Sequence, residues 1–364
     1  MNFQIRSFQK AKDLGYGPLV RIAALADVLK VILYVVASFA LAAVISPYLY
    51  ELGKGFAHVT LSKDTADEVN WLAEKAGKAE FDTYFKRSLL ISALVCLVPF
   101  FYSLDLRRHP RKRRGNPWSV GLPPNTAQTE LGQPLRKTRW GILHTLAGFC
   151  ITTGFFFMMS WFLFKLNWFE WDCAPNRAPL LESIGKAIGP SLGVSFLEEV
   201  FFRGALLGIF LRAFRPRLAI VFLSVIFAST HFLTPPPDTF ITSPSSAMAG
   251  FEMLALIGQK FLQLDTIIHS FIALLLVGVI LGIARYSTAS LWLPIGLHAG
   301  WVFSMKMFGR MAERRPDFPD EFNLYMGKNM TEGLIPIGVL VMTGIIVVVY
   351  LRILLPKKPL ELSE

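Results

Sequence analysis

Charge is scarce in this chain: Asp, Glu, Lys and Arg supply 17% of its 364 residues and apolar types 53%, a balance that excludes an ordinary soluble domain. Cysteine is scarcer still. Cys96, Cys150 and Cys173 form no CxxC pair and two of them fall in apolar runs, which excludes a disulfide framework and a locally spaced zinc knuckle. Acidic residues are the minority sign, 26 against 37 basic, for a net charge of +11. In a soluble protein that excess would point to nucleic acid. Here the basic residues gather in short loops between apolar runs, the pattern of a membrane protein's cytoplasmic side, so no nucleic-acid partner is expected. There is no HExxH zinc signature, no solenoid-type repeat and no small-residue cleavage site after the first apolar run, which reads as a retained anchor rather than a signal peptide.

What is present is a series of long apolar runs. A bilayer takes about 20 apolar residues per helix, and that ruler finds eight: 28–49, 88–104, 141–165, 183–210, 218–234, 266–284, 289–308 and 334–355. The fold class expected is therefore an all-α polytopic membrane bundle of about eight transmembrane helices. Basic residues set its orientation. Arg6, Lys10 and Lys12 precede the first run, Arg107 to Arg114 follow the second, Arg212, Arg215 and Arg217 the fourth, Arg285 the sixth, and Lys357 and Lys358 the last. These positions fall on one side and place both termini in the cytoplasm, in a membrane of bacterial inner (plasma) type; only Arg310, Arg314 and Arg315 go against the rule.

A Pro-, Gly- and polar-rich stretch over 115–139 reads as a cytoplasmic linker. It divides the chain into a two-helix region, 1–114, and a six-helix region, 140–364. Glycines recur at four-residue spacing, Gly185, Gly189 and Gly193, then Gly204 and Gly208, and Gly278 with Gly282. Such spacing lets membrane helices approach closely, and it predicts that the fourth run is the most crowded.

That fourth run holds "FLEEVFFRGALLG", residues 196–208. A charge at bilayer depth is expensive, and by default functional. On an α-helix of about 100° per residue, Glu199 and Arg203 lie within about 40° of each other and can pair. Glu198 and Arg203, five apart, are separated by roughly 140°, so Glu198 is left facing another way without a local partner. Two further runs carry histidine: "FASTH" ends at His231 and "HAGWV" begins at His298. A carboxylate with two imidazoles can position a water and stabilise an oxyanion. The same three side chains are also a possible zinc set, though without local ligand spacing, and metal-free chemistry is the expectation. His144 and His269, near run ends, read as residues that hydrogen-bond a neighbour.

In order and spacing, EEVFFRG (Glu198, Glu199, Arg203), FASTH (Phe227 to His231) and HAGWV (from His298) resemble the EExxxR, FxxxH and HxxxN motifs of the CPBP family of intramembrane glutamic endopeptidases, which includes the type II CAAX prenyl protease and bacteriocin-processing or immunity proteins. The resemblance covers about 183–305. It implies that Glu198 activates a water that His231 helps to hold, that His298 stabilises the oxyanion, and that Glu199 and Arg203 support the site. The fourth residue of the third motif departs from the family: it is Val302, which donates no hydrogen bond. The indole N–H of Trp301, three residues from His298, is a candidate replacement.

The function expected is hydrolysis of a peptide bond in a membrane-associated peptide or protein, with the lipid bilayer as surroundings and no cofactor. A non-catalytic scaffold or immunity protein of the same fold is the alternative, motivated by Val302. A proton-coupled transporter would also use buried Glu, Arg and His, but no inverted repeat favours it.

Overall fold

The computed structural model describes residues 18–61, 67–103, 138–171, 180–236, 239–288, 290–327 and 330–354. The basic clusters at the N-terminus, after the second run and at the C-terminus, residues 115–137 of the linker, and Cys173 lie outside them. Cys96 and Cys150 are free thiols.

Helix dominates. In chain order the helices are α1 (Pro18–Leu61), α2 (Asp67–Lys78), α3 (Phe81–Ser103), α4 (Thr138–Lys165), α5 (Leu180–Glu199), α6 (Leu207–Ala213), α7 (Pro216–Thr230), α8 (Ala249–Leu262), α9 (Leu264–Thr288), α10 (Trp292–Met311) and α11 (Leu334–Leu354). A π-helical turn, Val200–Leu206, joins α5 to α6. Every expected apolar run has a helix; α2 and α8 are additional, too short or too polar for a membrane-length ruler. Among the described residues, five helices are long and apolar enough to cross a membrane: Leu25–Leu61, Phe81–Ser103, Gly141–Lys165, Ile267–Thr288 and Leu334–Ile353. The runs expected at 183–210 and 289–308 are not among these five; the first is divided between α5, the π turn and α6. The helix expected at 218–234 stops at Thr230.

The spans face outward. The first has a mean hydropathy of 2.5, yet only 22% of its most apolar window is buried, with Leu29, Leu33 and Val36 among its exposed side chains. Helices apolar all round and left uncovered by protein are solvated by lipid. The chain is an integral membrane protein with an all-α polytopic fold.

Two compact units are present, Met1–Arg114 with Thr230–Ile267, and Gly115–Ser229 with Ile268–Glu364. The first is built on the long α1, against which α2, α3 and α8 pack. Its core joins Ala42 and Ala43 to Phe81 and Phe85 and to Ala249, Met253 and Ile257. Short α2 begins with Asp67 and Glu68 and ends with Lys75 and Lys78, the charge order that suits a helix dipole. Its last carbonyls are satisfied by neighbours: Lys54 Nζ donates to Gly77 O at 2.6 Å and Tyr84 Oη to Ala76 O at 2.7 Å.

In the second unit, α10 lies along α4 as the closest seam and also packs on α5. The reason is glycine. A Cβ at Gly296 would overlap the Thr145 carbonyl oxygen, and one at Gly148 would stand 2.8 Å from the Leu297 nitrogen, so the backbones meet without side chains between them. Gly278 and Gly282 of α9 instead make room for the side chains of Ser224 and Ile220 of α7, which would stand 2.7 Å from an added Cβ. The crowding expected of the fourth run is confined to its second half, where 202–204 and 206–211 are buried; in the first half a Cβ at Gly185, Gly189 or Gly193 would meet nothing within 4 Å. Periodic glycine marks permission to approach, and only contact with a partner turns permission into packing. An apolar cluster of Leu281, Leu293, Leu297, Trp301, Leu340 and Val347 ties α9, α10 and α11 together. Beyond the membrane-length helices, β1 (Phe169–Trp171) and β2 (Ala312–Arg314) pair antiparallel, Glu170 opposite Glu313.

Candidate active site

The charges of the fourth run sit at the junction of α5 and the π turn. Glu199 is fully buried, Arg203 is 2% exposed, and Arg203 Nη1 donates to Glu199 Oε1 at 2.9 Å. The expected i,i+4 pair is present. A second donor converges on the same oxygen: His298 Nδ1 stands 2.9 Å from Glu199 Oε1. The other imidazole nitrogen, Nε2, faces Glu198 Oε2 at 3.9 Å, beyond direct hydrogen bonding.

One imidazole thus lies between two consecutive glutamates. Glu198, expected to lie apart from Arg203, has Nε2 of His298 as its neighbour. The residues after Glu199 form i→i+5 turns, which bring residues five apart closer to one face than α geometry does. The Leu207 N–H accordingly bonds Phe202 O.

Aromatic rings close the apolar side. The Phe227 ring lies 4.3 Å from Arg203 Cζ and is perpendicular to the His298 ring at 6.0 Å between centroids. A cation over a ring face is held by the ring quadrupole, so Phe227 fixes guanidinium and imidazole together. Arg203 Nη2 reaches the Gly278 carbonyl at 3.4 Å. Among the described residues, Glu198 Oε2 and Glu199 Oε2 are buried with no hydrogen-bond partner, as are the hydroxyls of Ser195, one turn before Glu199, and Ser304. The two carboxylates therefore keep acceptor capacity beside an imidazole. Among the described residues no group of three or more His, Cys, Asp or Glu side chains is arranged to hold a metal ion.

Of the residues singled out in the sequence, the second unit brings together Glu198, Glu199, Arg203 and His298. His231 opens the turn after α7 and belongs to the 230–267 segment of the first unit. Trp301 is 7% exposed and packs in the apolar cluster of α9, α10 and α11. Val302, one turn after His298, is half-buried. His144 Nδ1 and Tyr350 Oη are 2.9 Å apart, a hydrogen bond between α4 and α11.

Two contributors escaped sequence reasoning. Phe227 opens the FASTH motif, but nothing in its type announced a cation contact. Arg285 was read as a loop charge, whereas it lies in the last turn of α9, 8% exposed, with Nε donating to the Arg203 carbonyl at 3.2 Å. Its place directly after an apolar run, in helical register, was the available signal.

Residues 181–304 match the family model described as type II CAAX prenyl endopeptidase Rce1-like. No curated protein and no solved structure matches the chain. The matched segment, about a third of the chain, contains the two glutamates, the arginine and both motif histidines, and in it the chain is similar to the CAAX family of membrane proteases.

Proposed function

We propose that the chain is an intramembrane endopeptidase in which Glu198 activates the water that hydrolyses a peptide bond of a membrane-associated peptide or protein. The observation that carries this reading is the position of His298 between Glu199 at 2.9 Å and Glu198 at 3.9 Å. The longer separation is one that a single bridging water spans.

The chemistry follows from the proton positions. Glu199 Oε1 already accepts from Arg203, so it is a carboxylate, and His298 Nδ1 must donate to it; a carboxylate in this place fixes the imidazole's orientation and tautomer. In the imidazolium, Nε2 carries a proton as well. Glu198 takes a proton from water as the oxygen attacks the scissile carbonyl carbon. His298 Nε2–H donates to the resulting oxyanion. When the carbon–nitrogen bond breaks, the proton on Glu198 passes to the leaving amine. His231 enters this reading by resemblance alone, as a second holder of the water. No metal takes part, and both termini lie on the cytoplasmic side of a bacterial-type plasma membrane.

The test is cleavage of a membrane-tethered peptide by purified protein. Glu198→Gln should abolish it while leaving the fold intact, and a chelator should leave it unchanged. Full cleavage by Glu198→Gln overturns the mechanism. A second reading, a non-catalytic scaffold or immunity protein, is favoured by Val302, which puts an apolar side chain where the related motif has a hydrogen-bonding Asn. Full complementation of a deletion strain by Glu198→Gln would support it.

A further inference from the structure

The π turn leaves a backbone group to be accounted for. In a continuous α-helix the Leu207 N–H would bond the carbonyl four residues earlier, that of Arg203. Here it bonds Phe202 O instead, and α geometry resumes from Leu207. A switch from i→i+5 back to i→i+4 bonding strands one carbonyl at the junction, and a buried carbonyl without a donor is costly. The Arg203 carbonyl is that group, and its donor is the Arg285 side chain, Nε at 3.2 Å.

Arg285 is a costly choice of donor, a cation with 8% exposure, whose one hydrogen bond, among the described residues, with a residue outside its own helix is to this carbonyl. The contact is reciprocated, because the Arg203 side chain reaches the Gly278 carbonyl of α9 at 3.4 Å. Two arginines thus lock the π turn to α9, one through the backbone and one through the side chain. α9 itself is seated by the absence of side chains at Gly278 and Gly282, where a Cβ would stand 2.7 Å from Ser224 and Ile220.

We infer that Arg285 is a positioning residue: by supplying the donor that the π turn lacks, it holds the helical register that sets both Glu198 and Glu199 against His298. The inference rests on the proposed role of Glu198 and His298. Its role is to donate from Nε, and its charge is incidental. Glutamine places an amide nitrogen at the same distance along the side chain as the arginine Nε, whereas methionine keeps the bulk and removes the donor.

The experiment compares Arg285→Met and Arg285→Gln in the purified full chain, using a quenched fluorescent peptide tethered to the membrane by a lipid anchor. Arg285→Met should lower kcat about 10- to 100-fold, the loss that an ångström-scale misplacement causes, with KM unchanged. Arg285→Gln should restore kcat to the parental range. Hydrogen–deuterium exchange over 200–208 supplies a readout independent of substrate: faster in Arg285→Met, parental in Arg285→Gln. Parental kcat and exchange in Arg285→Met overturn the inference, as does equal loss in both variants, which would assign the effect to charge. Should Arg285→Met fail to fold, a tenfold or greater kcat loss in a folded Arg285→Gln overturns it alone. Glu198→Gln separates the two levels: if that variant cleaves normally the catalytic reading has failed, whereas if it is inactive and Arg285→Met is fully active only the positioning role has failed.

Discussion

His298 presents one ring nitrogen to each of two consecutive glutamates, but on unequal terms: Nδ1 is hydrogen-bonded to Glu199 and Nε2 stands off Glu198 by 3.9 Å. The first contact orients the ring and the second leaves room for a reacting atom. Removing the ring should therefore affect rate more than fold, because Glu199 keeps its bond from Arg203. His298→Ala is expected to lower kcat by about 10²–10³, the scale of losing an oxyanion donor, in protein whose thermal unfolding changes little. Measured kcat within a few-fold of the parent would remove His298 from the reaction.

Glu199 should behave in the opposite way. Its carboxylate faces a guanidinium with 1% side-chain exposure, and deleting one member of such a pair leaves a bare buried charge. Glu199→Leu is expected to destabilise the protein by about 3–5 kcal/mol. The double variant Glu199→Leu/Arg203→Leu should recover most of that loss, which equilibrium unfolding in detergent can read. A single variant as stable as the parent would mean the pair is solvated.

Two glycines with the same sequence appearance should part company. Gly296→Ala puts a methyl into the Thr145 carbonyl and should cost about 1–3 kcal/mol by overpacking. Gly189→Ala meets nothing within 4 Å and should gain roughly 0.5–1 kcal/mol from reduced backbone freedom. The difference between the two unfolding midpoints is the measurement, and equal midpoints would contradict the seam between α4 and α10.

Trp301 can be assigned by one conservative change. Its ring packs with Leu281, Leu297 and Leu340, so Trp301→Phe is expected to retain kcat within a few-fold. A loss approaching that of His298→Ala would show that the indole N–H serves the oxyanion in place of the motif's missing amide.

Much of this molecule was legible in its sequence because membrane insertion is written in long apolar runs, and each expected run has its helix. The same ruler passed over α2 and α8, whose lengths fit no bilayer. The Glu199–Arg203 pair was legible because i,i+4 spacing is a local property. Glu198 was legible as the carboxylate set apart from that pair, but the π turn that follows it is one that no residue type in VFFRGAL announces. The partner of Arg285 was not legible for a related reason: the carbonyl it serves becomes available only once that turn exists. The glycine periodicities were legible as a pattern, but which of them met a neighbour was decided by tertiary contacts that a single sequence does not encode.

The π turn also sets a tension between robustness and reactivity. Deleting one residue within Val200–Leu206 would let the segment close as continuous α-helix, with the stranded carbonyl rejoined to the backbone and the helix itself more stable. The flanking helices would keep nearly the same relative orientation, but a deletion before Arg203 would shorten its spacing from Glu199 to three residues and withdraw the free carbonyl that Arg285 bonds. A screen that rewarded stability alone would be drawn to that deletion and would discard the site in selecting it.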